Sequence, residues 1–190
     1  MLDKSVEYAQ FLMKRKAGSP VIEFGLPEGF SFVYYKPGDE RYWAEIKAAV
    51  TEFPDEEKAM EYFRGEFSPH IGETQRRCVF IEDRDGKKIA TATAWMSNQN
   101  GEPMMHWVSV RPEYQGLGLG KAVVSKAFHR LLELNGDADI YLITQTWSYK
   151  AVDIYKKFGF GFSRETGIHG FRNDNFDRAM EILTQIESNS

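Results

Sequence analysis

The sequence predicts an α+β protein, or α/β, built on a mixed sheet. Three observations lead there. Strand-like runs at residues 78–82, 88–96 and 104–110 are separated only by turns, which is the pattern of an antiparallel meander. Beyond them the order becomes strand, helix, strand, helix, with strands at 104–110 and 140–146. A right-handed crossover then makes those two strands parallel neighbours.

Taken in order, the first 29 residues read as an appendage. Residues 4–16 carry the apolar content of a helix (Val6, Tyr8, Ala9, Phe11, Leu12, Met13), and Gly18, Ser19 and Pro20 stop it. Residues 30–36, FSFVYYK, form a strand ended by Pro37-Gly38. Asp39 caps a helix through Val50, with Trp43, Ile46, Lys47 and Val50 near one face. Pro54 opens a second helix to about Phe63, and its DEEK start sets carboxylates at the positive helix end.

In the meander, Asp85-Gly86 makes a hairpin turn and residues 97–102, SNQNGE, a loop. A glycine-rich turn follows the third strand. Next comes a helix of about 16 residues that stops at Asn135-Gly136. The strand at 140–146 leads to a helix at 148–158, closed by Gly159. Residues 168–172, IHGFR, are a weak strand. Asn173 then opens a terminal helix with Phe176, Met180, Ile182, Leu183 and Ile186 as its apolar set. Three parts result: 1–29, 30–172 and 173–190. The terminal helix packs on the main domain, covers a site or joins a dimer; a monomer and a homodimer both remain open.

Composition narrows the function. The 190 residues are one domain's worth, and 42% hydrophobic with 14% aromatic content excludes disorder. Twenty-four Lys and Arg against 28 Asp and Glu give a net charge of −4, which argues against a nucleic-acid binder. One cysteine excludes an internal disulfide and any Cys-based zinc site, so a reducing, cytoplasmic setting is expected. His70, His129 and His169 are scattered without ligand spacing, and no metal is expected. No apolar run approaches the ~20 residues of a membrane helix, and no membrane association is expected.

The most informative stretch is Arg111-Pro-Glu-Tyr-Gln-Gly-Leu-Gly-Leu-Gly-Lys121. Gly116, Gly118 and Gly120 alternate between a strand and a long amphipathic helix. Glycine admits positive φ and close backbone approach, and free N–H groups at a helix start cradle an anion. A turn with glycines chosen only for packing is the plainer alternative. The dinucleotide fingerprint G-x-G-x-x-G fails, because its last position falls on Lys121 or Val123. The P-loop fails twice, with Gln115 for its first glycine and Ala122 for its Ser/Thr.

The arrangement that fits is Gln115-x-x-Gly118-x-Gly120 after Val108-Ser-Val-Arg-Pro. A second motif follows: Gln145-Thr-Trp-Ser148, Ala151, Tyr155 and Lys157-Phe-Gly-Phe160. With these two motifs the sequence resembles the GNAT superfamily of acyl-CoA-dependent N-acetyltransferases, over residues 30–162. The resemblance implies a mostly antiparallel central sheet with helices on both faces and a parallel strand pair splayed at the coenzyme site. Acetyl-CoA is then the cosubstrate and an amine the acceptor. The coenzyme diphosphate would rest on the backbone of Gln115, Gly116, Leu117, Gly118, Leu119, Gly120 and Lys121. Its pantetheine arm would pair with backbone groups near Val108 and Val110. Ser148 stands where the family often has Asn.

Catalysis under this resemblance needs an acid for the departing thiolate and a base for the amine. Tyr155 is the implied acid, since a phenol of ordinary pKa ~10 stays protonated at neutral pH; a core tyrosine is the alternative. For the base, His106 shares a face with Val108 and Val110 by period-two alternation. Its imidazole has an unperturbed pKa of ~6.5. Glu102 is a second candidate, and many relatives use water chains; a structural histidine is equally consistent. Tyr42, Trp43, Phe67, Trp95, Trp107 and Trp147 are candidate acceptor walls, and Glu66 either attracts a cationic amine or is a solvated charge. The rival readings are a non-catalytic CoA-binding or sensing module and a transferase using another acyl-CoA.

Overall fold

Residues 2–97 and 100–188 are described by the computed structural model. Their strands are β1 (Gln10–Arg15), β2 (Ser31–Tyr34), β3 (Cys78–Glu82), β4 (Lys88–Met96), β5 (Pro103–Val110), β6 (Ile140–Gln145) and β7 (Gly161–Ser163). Their helices are α1 (Glu40–Ala49), α2 (Glu56–Glu66), α3 (Ile71–Arg77), α4 (Leu119–Asn135), α5 (Tyr149–Lys157) and α6 (Phe176–Ser188). The strands form one sheet in the order β2-β3-β4-β5-β6-β1-β7. All pairings are antiparallel except β5 with β6. The mixed sheet with a single parallel pair is therefore as the sequence led us to expect.

The alternating Thr and Ala of β4 explain the layering. Small residues on both faces of a central strand let helices approach from either side. Ala90, Ala92 and Ala94 join the core beneath α4, with Ala122, Val123 and Ala127. On the other face Trp95 and Phe80 pack with Trp43 of α1 and with Phe63 of α2 and the adjoining Phe67. The buried Ala179, Ile182 and Leu183 of α6 join the α4 layer.

The structure corrects several expectations. The helix expected over residues 4–16 is instead the strand β1, paired with β6 and β7 on its two sides. Its side chains alternate between layers, Phe11 and Met13 to the α4 side and Leu12 to the other. Partners near residues 140–163 override the local helical pattern. Residues 168–172 are not a strand: Ile168–Gly170 is a 3-10 turn, with Gly167 at φ 88° and His169 at φ 52°. Asp39 precedes α1 without capping it, because its carboxylate accepts from Lys36 N–H at 2.9 Å and pairs with Lys88 at 3.1 Å. The short α3 was not anticipated.

Two irregularities shape the middle of the sheet. β5 and β6 are in register only at Met104 opposite Tyr141, and beyond that pair the strands part. Between β4 and β5, Thr91 faces Ser109 while Thr93 faces His106. Two steps along β4 thus oppose three along β5, which is a β-bulge with one extra residue. Trp107 takes up the difference with a φ of 53°.

Candidate active site

A cavity of about 920 Å³ opens where β5 and β6 part. The glycine turn, α5 and the α1–α2 loop border it. At the turn, Gly116 and Gly118 both adopt φ 83°, a conformation glycine enters without steric cost. A Cβ built on either would meet no protein atom within 4 Å, so bare backbone borders open space there. At Gly120 a Cβ would come within 3.2 Å of Ile154 Cδ1, so a side chain there would press on the tip of Ile154 where α4 meets α5. Gly118 starts α4 with no side-chain cap, which leaves the helix's first N–H groups to a ligand. Gln115 anchors the turn to β5 by donating from Nε2 to Val110 O at 2.9 Å.

Most of the residues singled out in the sequence meet at this cavity. Val108, Val110, Gln115, Gly116, Gly118, Gly120, Lys121, Ser148, Tyr155 and His106 all line it. Leu117 and Leu119 do not: Leu117 is exposed to solvent and Leu119 is buried in the α4 core. Ser148 holds the N-cap position of α5 but makes no side-chain capping bond. The backbone edge of β5 beyond Met104 has no partner strand in β6, so its polar groups face the cavity.

Tyr155 enters from α5 and is almost wholly buried. Burial, and secondarily the charge of Glu52, raise its phenol above the ordinary range. It therefore holds its proton firmly at neutral pH.

His106 stands differently from the expectation. The bulge at Trp107 breaks the alternation, so His106 does not share a face with Val108 and Val110. Val108 and Val110 pack toward α4, while His106 and Trp107, though consecutive, both lie on the α1–α2 side. The His106 side chain is half-buried, and among the described residues its shielded Nε2 has no hydrogen-bond partner. Burial, then the charges of His169 and Lys47, push it down to about 3. Glu102 lies outside the cavity, where hydrogen bonds from Ser97 and Asn100 hold its carboxyl below the usual range.

The aromatic walls divide. Trp107 and Trp147 line the cavity, whereas Trp43, Phe67 and Trp95 are core. Tyr42 borders a separate open depression beside Lys88. Aromatics that the sequence did not single out as walls, among them Phe53, Tyr62 and Tyr8, add to it. Phe53 and Tyr62 lie with their rings 5.3 and 4.9 Å from that of Trp107, and Tyr8 lies 4.7 Å from Trp147. Glu66 is turned away, accepting from Trp95 Nε1 at 3.2 Å.

Glu52 was also missed. It lies in the loop after α1, beyond Val50 and Thr51, and it is the one carboxylate among the described residues that line the cavity. Its Oε1 accepts from Gln145 Nε2 at 3.3 Å, which ties the α1–α2 loop to the end of β6. Its only sequence signal was its place in the loop between the two early helices, among several other acidic residues.

Comparison with known proteins agrees with this geometry. Residues 40–160 match the model of the acetyltransferase (GNAT) family, well over half of the chain. The chain belongs to the GNAT family. Among curated GNAT relatives, mycothiol acetyltransferase of Streptomyces avermitilis is 28% identical over 147 residues, covering 76% of this chain and 47% of the relative. Spermine/spermidine N(1)-acetyltransferase of Bacillus subtilis is 33% identical over 73 residues, covering 38% of this chain and 48% of the relative. The chain thus spans about half the length of these relatives. A GCN5-related N-acetyltransferase structure from Sphaerobacter thermophilus superposes with a TM-score of 0.68 at 20% identity, covering 83% of this chain and 49% of that one. Such a likeness shows the GNAT fold, and the splayed β5–β6 pair is where that fold departs from a regular sheet in this chain.

Proposed function

We propose that this chain transfers the acetyl group of acetyl-CoA to a primary amine, cationic in solution, of a small molecule or peptide, by direct attack in a ternary complex. One observation carries the reading. The bare glycine turn, the unpaired edge of β5 and the buried Tyr155 meet in a single cavity whose one described carboxylate is Glu52. The relatives named for spermine/spermidine and mycothiol acetylation support an acetyl transfer of this kind.

In this scheme the uncapped N–H groups of α4 hold the diphosphate, and the helix dipole favours its charge. The β5 edge near Val108 and Val110 pairs with the amides of the pantetheine arm, as an added strand would. Glu52 draws the ammonium form of the acceptor into the aromatic wall and receives its proton. His106 is too weak a base for that step, being shielded and neutral. The free amine attacks the thioester carbon, and a β5 backbone N–H stabilises the oxyanion. As the carbon–sulfur bond breaks, Tyr155 gives its proton to the thiolate, and the phenolate is reprotonated by the second proton that the acylated nitrogen sheds. The products are the acetylated amine and free CoA.

Thiol release from acetyl-CoA, measured with a panel of polyamines, amino sugars and peptide amines, tests the reading. Turnover with at least one amine is expected. Tight CoA binding with no turnover on any amine would make the chain a binding module instead.

A further inference from the structure

Lys47 lies on α1 with its side chain wholly buried, at 0% exposure. Its Nζ donates to Ser109 Oγ at 2.6 Å. The same ammonium lies 4.8 Å from the Trp107 ring centroid and 5.5 Å from that of Trp43. Among the described residues it forms no ion pair within 4.0 Å. A buried ammonium without a carboxylate opposes folding, and two aromatic faces and one hydroxyl offset that cost only in part. The proposed chemistry gives Lys47 no task.

Its position suggests one. Trp107 and Ser109 flank Val108, and all three line the cavity at the bulge of β5. The ammonium therefore touches the strand on both sides of Val108, whose backbone lines the cavity. We propose that Lys47 is a positioning residue, a buried cation that holds the β5 bulge and sets a positive potential behind it, favouring the oxyanion that forms on acyl transfer. This inference rests on the acetyltransferase reading. A fixed charge in a water-excluded layer acts over several ångströms with little screening, and it stabilises the oxyanion more than the neutral thioester.

Burial pushes the Lys47 ammonium down to about 8, against the opposing charge of Glu52. The groups around it hold steady through that range. Cys78 on β3 is pushed up to about 11 and Tyr62 on α2 to about 12, while His106 on β5 stays neutral.

The test is Lys47→Met, which keeps the length of the side chain and removes the charge. The expected result is a fall in kcat of at least ~10-fold with KM for acetyl-CoA within about twofold, and a raised Tm. The unaltered protein should show a fall in kcat/KM above about pH 8, and that fall should vanish in the variant. An unchanged kcat with normal CoA binding would overturn the proposal and leave the acetyltransferase reading standing. So would a lowered Tm with the alkaline fall retained, since Lys47 would then only fill space. Should Lys47→Met not fold, Ser109→Ala loosens the same tether, and an unchanged kcat there overturns the proposal equally. An unaltered protein that binds no CoA by calorimetry would sink the acetyltransferase reading, and this inference with it.

Discussion

Tyr155 and Glu52 face one cavity, from α5 and from the α1–α2 loop, and the carboxylate's charge adds to burial in keeping the phenol protonated. The pair divides the proton work of an acyl transfer: one group gives a proton to sulfur, the other takes one from nitrogen.

Tyr155→Phe removes the donor and keeps the ring that packs 6.3 Å from Phe160. The expected loss in kcat is ~10²–10⁴-fold. CoA affinity measured by calorimetry should stay the same. A variant that turns over at the original rate would remove Tyr155 from the acid role.

Glu52→Gln keeps the shape and the hydrogen bond to Gln145 but discharges the cavity. KM for a cationic acceptor should rise about tenfold, with KM for acetyl-CoA steady. Added salt should narrow the gap between variant and parent. Equal KM values at low ionic strength would show that the acceptor is not drawn by this charge.

Gly118→Ala places one methyl group where the protein itself offers no clash. The left-handed backbone costs ~1–2 kcal/mol of stability, and the methyl group should raise the Kd for CoA at least ~10-fold. Isothermal titration of the folded variant reads this directly, and an unchanged Kd would move the diphosphate elsewhere.

His106 predicts an acid limit to stability. Its folded value, pushed down to about 3, lies below the ordinary 6.5, so the unfolded chain binds the extra proton between those two values. Stability from this residue is whole above 6.5 and is lost as pH falls toward 3, by several kcal/mol. Denaturant midpoints of His106→Phe should decline less over that window than those of the parent.

Lys47 predicts a complementary gain in alkali. Its folded value near 8 lies below the ordinary 10.5, so the penalty of burying the charge is full below pH 8. It is relieved as pH rises toward 10.5, on the order of 3 kcal/mol for a shift of that size. Urea unfolding across that range should show the rise in the parent and not in Lys47→Met.

Local signals carried the reading of the sequence far. The meander, the glycine turn and α4 were legible because each is written in adjacent residues: alternation, Asp85-Gly86, and Gly116-Leu-Gly-Leu-Gly120. The place of Tyr155 at the cavity was legible through the motif around it. What escaped depends on distant partners or single insertions. β1 has apolar residues that suit either a helix or a strand, and only Gln145 opposite Gln10 and Phe162 opposite Met13 decide between them. The bulge at Trp107 reverses the facing of His106 relative to Val108, and no composition marks it. Glu52 looked like the first of a row of loop and helix acids, because nothing local tells which carboxylate turns inward.

The place of β1 between β6 and β7 also governs the order of birth of the molecule. Phe11, Leu12 and Met13 leave the ribosome well before their docking edges at 140–145 and 161–163 are made. Until then that greasy segment has no partner strand, so it is a stretch a holdase chaperone would grip, and the sheet closes only once residue 163 has emerged.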